Sequence, residues 1–400
     1  GVSDLCKLDA FTVVENNLFE DCDGDPEIVS VKSCKDTVRN NTFRRCVGTV
    51  CLRQGNNSVV EGNYFFGEGK TTTFETNTIG CGGVRVYGLN HKIINNYFES
   101  LTGSKWDAAC VMTNGDVTNN STSNSSHFIP ENNLFAYNTL VNNKSDIEIG
   151  FDNNGAYGLA PKNNMIANNI VINNENPIIK SFNNNSLAGV SFSSNIMYST
   201  GTSTLGLAGM SEAQIKTINP QLEKTKCRTY NSNCDYKTPF ETYKLTPASP
   251  AINASIGYET VFNDAEGQTN VGIRDIGADE FNVDKEITNG PLNELHVGPT
   301  ALETYVYETN VTTSVHALPT NKITISPNPF VGKTQITFQS NTEGPIIIKL
   351  FNATGQLIST ETMLKNSGFY QHEIQMSQTG LFFCIIESNL DKQSFKLISK

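Results

Sequence analysis

Seven segments, VENNLFEDC, VRNNTFRRC, VEGNYFFG, IINNYFES, AYNTLVNN, IANNIVIN and FSSNIMYS, repeat one pattern along the first half of the chain. A β-branched or aromatic residue leads into one or two Asn, and alternating apolar positions follow. With the second Asn as reference, the series is Asn17, Asn41, Asn63, Asn96, Asn138, Asn169 and Asn195. The first steps are 24 and 22 residues and the later ones 33, 42, 31 and 26, as one coil carrying inserted loops would give. A period of this size marks a solenoid. The Leu framework of leucine-rich repeats is absent, and so is the 3.6-residue apolar stripe of helical repeats. Short strands between Asn and Gly turns remain. Asn tolerates left-handed backbone angles and bonds its own backbone. At the same turn of every coil it can also bond the Asn of the next. These features predict an all-β chain built on a right-handed parallel β-helix.

The pattern continues to about residue 200. An irregular, Pro-bearing stretch follows and reads as a long segment packed on the last coils, closed by VGIRDIGADEF at 271–281. The predicted divisions are a β-helix domain over 1–285, a linker over 286–321 and a small antiparallel β-sandwich over 322–400. The last rests on four alternating strand segments separated by Gly and Asn turns.

Composition excludes several classes. The formal net charge is -11, from 29 Lys plus Arg against 40 Asp plus Glu, which opposes nucleic acid as a partner. It leaves room for an anionic ligand in a groove with its own cations. No stretch approaches a transmembrane span. Seven of the ten Cys fall in the first 110 residues without a CxxC pair, and read as small buried groups inside the solenoid. Cys227 and Cys234 are placed for a local disulfide in an exported protein, and Cys384 for a core.

Three segments interrupt the repeat with ionisable residues. DCDGDPEIVSVKSC offers Asp21, Asp23, Asp25, Glu27 and Lys32. In a strand Asp25 and Glu27 share a face, and such hard oxygens suit calcium; a solvated acidic turn is the bland reading. GTVCLRQGNN centres Arg53 in a short strand, followed by Gln54. Lys32 and Arg53, 21 residues apart, are expected one above the other on neighbouring coils, or else as two solvated surface cations. The third segment brings Arg85, Tyr87, His91, Lys105 and Trp106. Its aromatic rings can face sugar rings, although each aromatic alone is more often packing, and a lone His such as His91 is more often structural. Together the segments describe a cationic ledge beside carboxylates, suited to a uronate polymer. A cation beside the uronate carboxylate stabilises the enolate-like intermediate, and a Lys can act as base. Arg stays protonated and suits charge neutralisation. Asp21, Asp23 and Asp25 leave hydrolysis by paired acids open.

Residues 1–115 resemble the central coils of polysaccharide lyase family 6, which holds alginate lyases and chondroitinase B. The resemblance is carried by PEIVSVKSC, NTFRRCVGTVCLRQGNN, VEGNYFFG, GGVRVYGLNHKIINNYFESLTG and DIGADEF. It implies calcium-dependent β-elimination, with Lys32 as general base and Arg53 as its catalytic partner. It further implies Asp25 and Glu27 as calcium ligands, and Arg85 and His91 lining the groove. Gln54 stands where the family commonly has His, and together with Tyr87, Lys105 and Trp106 completes the expected substrate-binding set. A further family calcium position would precede Gly1, so the resemblance implies a chain that starts inside the fold. Mannuronate-containing alginate is the expected substrate and dermatan sulfate the second. A β-helix glycoside hydrolase and a non-enzymatic carbohydrate-binding surface protein are the other classes. Residues 322–400 resemble the C-terminal sorting domain of the type IX secretion system of Bacteroidetes, through SPNPF, LFNATGQL, Gly368, Gly380 and the terminal Lys400. That implies the secretion machinery as a partner, and a secreted or outer-membrane-surface location.

Overall fold

The structure, a computed structural model, describes residues 5–74, 77–225, 240–258, 263–270, 272–282, 287–294, 296–298, 324–340, 344–353, 356–365, 368–388 and 392–400. Cys227 and Cys234 lie outside them. The chain forms two compact units, Gly1–Asn310 and Val311–Lys400.

In the first unit, three parallel sheets are built by strands that recur once per coil. The first contains Glu27–Lys32, Gly48–Gln54, Asn77–Val86, Cys110–Met112, Ile147–Ile149 and Ile179–Ser181, and is called the groove sheet below. The second runs from Val13–Glu15 to Val190–Ser193, and the third from Leu18–Glu20 to Ile215–Lys216. This is the parallel β-helix that the Asn repeat predicts.

The repeat's physical content is a column of amides at the turn between the second and third sheets. The backbone N–H and side-chain Nδ2 of Asn63 both donate to Oδ1 of Asn96, at 3.0 and 2.9 Å. Asn96 donates in the same way to Asn138, and Asn138 to Asn169. The column runs unbroken from Asn17 to Asn195. The left-handed position is the residue before each rung: Asn16, Asn40, Gly62, Asn95, Tyr137, Asn168 and Ser194 all have φ between 53° and 63°. Asn and Gly favour that conformation, so the doubled Asn carries two separate jobs. Beneath the column, Phe19, Phe43, Phe65 and Phe98 stack with centroids 4.6 to 4.7 Å apart. All eight described cysteines are free, and Cys51, Cys81, Cys110 and Cys384 are fully buried.

The irregular segment reaches further than the last coils. It binds back along the third sheet through Ala278 N to Thr139 Oγ1, Tyr243 N to Tyr97 Oη, and Leu292 N to Thr42 Oγ1, at 3.0, 3.0 and 2.7 Å. The side-chain oxygens of the sheet thus satisfy backbone N–H groups of a segment that has little regular structure of its own.

The second unit is an antiparallel sandwich. One sheet holds Thr324–Ser326, Lys333–Ser340 and Gly368–Gln375; the other holds Gly344–Asn352, Leu357–Lys365, Gly380–Ser388 and Lys392–Ser399. Ile336, Ile348, Leu350, Phe382, Cys384 and Leu397 fill its core.

Asp146 is fully buried beside the groove sheet and accepts from Nδ2 of Asn143 and Asn173, at 2.8 and 2.7 Å. Burial outweighs those bonds and raises its pKa from 3.8 to about 7. Its folded pKa exceeds its unfolded one, so its contribution is fully present below about pH 4 and lost as pH rises toward about 7. In Asp146→Asn, melting temperature followed from pH 4 to pH 8 is expected to fall less steeply than in the parent. Parallel curves would remove Asp146 from the account.

Candidate active site

The outer face of the groove sheet carries the ionisable residues, and two local irregularities aim them. Between the pairs Glu27↔Thr49 and Val29↔Val50, the first strand has one extra residue. Between Ser30↔Cys51 and Lys32↔Gln54, the second strand has the extra residue, so Leu52 and Arg53 oppose Val31 alone. Bulges of this kind re-aim side chains. Val31 and Leu52 go into the core, and Arg53 is thrown outward. Lys32 therefore lies across from Gln54 and not directly beneath Arg53, as even spacing suggests.

Glu27 stands between two guanidiniums. Its Oε1 is 3.9 Å from Arg53 Nε and 3.7 Å from Arg85 Nη1, while its Oε2 accepts from Ser30 Oγ at 2.5 Å. Arg85 continues the chain of charge: Nη2 donates to Asp107 Oδ1 at 3.1 Å and Nε to the Trp106 carbonyl at 2.9 Å. Arg53 lies over the Tyr87 ring and Arg85 over the Trp106 ring, at 5.9 and 5.1 Å. Burial raises the Asp107 carboxyl to about 6 against the pull of Arg85. The Lys32 side chain makes no hydrogen bond or ion pair among the described residues.

Beside this row opens a cavity of about 520 Å³, lined by Arg85, Tyr87, Lys105, Trp106, His127 and Tyr157, with Lys144 and Asp107 also on its wall. Tyr157 Oη and His127 Nε2 are 3.2 Å apart. Burial, then Arg53, lowers the His127 pKa. Asp107, His127 and Tyr157 escaped sequence reasoning. Asp107 had a signal, its place next to Trp106; the other two sit in inserted loops with no repeat to index them.

Two expected groove residues are placed elsewhere. His91 is fully buried: its Nδ1 accepts from Ser58 N at 3.0 Å, and its own N–H donates to Asn133 Oδ1 at 2.7 Å. It is a rung in a second turn column, and burial lowers its pKa to about 4. Gln54 is 1 % exposed, with Nε2 donating to the Asn124 carbonyl.

Calcium takes six to eight oxygens. Asp25 uses Oδ1 to accept the Glu27 N–H at 2.9 Å, and Glu27 is engaged by Ser30 and flanked by two arginines. Among the described residues no third acidic or imidazole ligand joins them, so this set does not fit a calcium ion as it stands. Asp264, Glu266 and Asp279 do bring one oxygen each within 4.8 Å of the others, an acidic cluster able to coordinate a divalent cation, although Lys244 already pairs with Glu266.

Fold and site together define a parallel β-helix protein with an arginine–carboxylate groove on one sheet. The sequence model described as Chondroitinase B matches residues 5–238, and that described as Secretion system C-terminal sorting domain matches residues 324–400. The chain belongs to the chondroitinase B family, polysaccharide lyase family 6, and ends in a secretion sorting domain. Among solved structures, it is similar to the PL6 alginate lyase AlyGC at 29% identity over 60% of this chain and 29% of that one, with a TM-score of 0.48. It is similar to a mannuronic-acid-specific family 6 lyase from human gut microbiota at 26% identity over 54% and 47%, with a TM-score of 0.45. The chain thus spans under a third of the first relative and about half of the second. No curated protein matches it.

Proposed function

We propose that the chain is a lyase cleaving a uronate polysaccharide by β-elimination, with mannuronate-containing alginate as substrate. The observation that carries this reading is the row Arg53–Glu27–Arg85–Asp107 on the groove sheet, with Lys32 in register with Gln54, the chain neighbour of Arg53. Arg53 and Arg85 neutralise the uronate carboxylate and so stabilise charge that develops at C5. Lys32, in its neutral form, removes the C5 proton. The C4–O bond breaks, a C4=C5 double bond forms, and the departing oxygen takes up a proton from water or from the Lys32 ammonium formed in the first step. Trp106 and Tyr157 offer ring faces to neighbouring sugars. No step is assigned to calcium, because the donor set at Asp25 and Glu27 is incomplete.

Dermatan sulfate, which also presents a uronate carboxylate and carries a similar charge per sugar, is the second reading. The sorting domain supports export, and we propose the type IX machinery as its route and the cell surface or medium as its destination.

The test is the ultraviolet absorbance of the unsaturated uronate end, with polymannuronate, polyguluronate and dermatan sulfate, with and without added calcium. A rise on polymannuronate is expected. A rise on dermatan sulfate alone would transfer the assignment to the second substrate, and no rise on any of the three would sink the lyase reading.

A further inference from the structure

Residues 113–130 leave the coil after Cys110–Met112 and lie over the end of the groove sheet. Four successive contacts pin them there. The carbonyl of Ser121 accepts from Lys7 Nζ, and that of Asn124 from Gln54 Nε2. The carbonyls of Ser125 and Ser126 accept from Arg53 Nη2 and Nη1, at 3.2 and 3.1 Å. The strap is braced within itself by the His127 N–H on Asp116 Oδ1 at 2.7 Å and by the Ser123 and Ser126 hydroxyls, 2.6 Å apart.

These carbonyls are closer to Arg53 than its carboxylate neighbour Glu27, at 3.9 Å. A guanidinium has five N–H donors. The strap takes one from each terminal nitrogen and leaves one on each for a ligand. Without the strap, a long side chain on a bulge has several rotamers open to it. Gln54 is the buried neighbour of Arg53 that ties the strap down at the adjacent carbonyl.

We infer that Gln54 is a positioning residue: through its bond to Asn124 it holds the 113–130 strap, whose next two carbonyls fix the Arg53 guanidinium. This rests on the lyase reading only where activity is measured. Gln54 touches no ligand in this role, since it is buried beneath the strap.

The experiment compares the chain with Gln54→Leu, which keeps the bulk and removes the donor. Lys7→Met, at an exposed position, loosens the other end of the strap without burdening the core. Gln54→Leu is expected to lower kcat about tenfold or more, since small misplacement of a catalytic group costs up to about a hundredfold, with KM within about twofold of the parent. Lys7→Met is expected to lower kcat by a smaller factor. Two readouts need no activity: hydrogen exchange at amides 121–127, expected to quicken in both variants, and the Arg53 Nε–H resonance, assigned by its loss in Arg53→Lys and expected to broaden or vanish in Gln54→Leu. A raised KM at unchanged kcat would make Gln54 a ligand contact and overturn the inference. So would an unchanged Arg53 resonance with unchanged strap exchange. If the parent shows no lyase activity, the reaction fails on its own test and these two readouts still decide the role of Gln54.

Discussion

Lys32→Met is expected to lower the rate of unsaturated-uronate formation by about a hundredfold or more while leaving the melting temperature within about 1 °C, because a positioned general base contributes about 10²–10⁴. Arg53 and Arg85 stay protonated, and both are committed to carboxylates and carbonyls. The His127 ring is engaged with Tyr157 Oη. The Lys32 side chain has no hydrogen-bond or ion-pair partner among the described residues, so removing its amine breaks no bond that holds the fold. Methionine keeps most of the aliphatic stem and removes only the amine. Rate is read from absorbance under saturating polymannuronate, and stability from circular dichroism. More than about a tenth of the parent rate would exclude Lys32 as base. A large drop in melting temperature would show instead that it is a structural cation. Arg53→Lys is the informative companion: it keeps the charge but cannot span the Ser125 and Ser126 carbonyls as a planar fork does.

The coils were legible because stacking imposes one residue type at one place on every turn. Asn17, Asn41, Asn63 and the rest of the series could be aligned from the sequence because each rung requires an amide that donates and accepts at once. The groove was legible only in part. Even spacing put Lys32 level with Arg53, but one extra residue in each of two strands shifts that pairing and brings Glu27 between Arg53 and Arg85. A bulge leaves no mark in an alternating pattern of Val, Cys and Leu. His91 misleads for a related reason. At a turn, an imidazole nitrogen can accept a backbone N–H as an Asn oxygen does, so a groove residue and a ladder rung look alike in sequence. His127, Tyr157 and the carbonyls that hold Arg53 come from inserted loops, whose paths depend on tertiary contacts alone.

Asn138→Ala is expected to be among the most damaging single changes in the β-helix outside the groove. The Asn138 side chain takes part in five hydrogen bonds. Its Nδ2 donates to the carbonyls of Ile93 and Ala136 and to Asn169 Oδ1, at 3.0, 3.1 and 3.0 Å. Its Oδ1 accepts from the backbone and side chain of Asn96, at 2.9 and 3.0 Å. Both residues are fully buried, so water cannot replace the lost partners. An orphaned buried donor or acceptor costs about 1–3 kcal/mol; the Asn96 backbone N–H loses its acceptor and the Ile93 and Ala136 carbonyls lose a donor, while Asn96 Nδ2 keeps the Val60 and Ile94 carbonyls. A loss of about 3 kcal/mol follows, a large share of the roughly 5–15 kcal/mol that holds a domain. Asn138→Asp tests the cause separately, since it keeps the acceptor but removes the donors and buries a charge. It is expected to be nearly as damaging at neutral pH and to recover in part under acid, when the carboxyl is protonated. Asn17→Ala gives the contrast. Asn17 is the exposed first rung and receives nothing from a coil beneath it among the described residues, so it should cost under about 1 kcal/mol, because water satisfies what alanine abandons. Urea unfolding of the three variants separates the accounts. Equal losses at Asn138 and Asn17 would mean that the amides add little and that the Phe19–Phe43–Phe65–Phe98 stack holds the coils together. A steep gradient from the end rung to the middle would mean that each coil depends on the polar contact with the next.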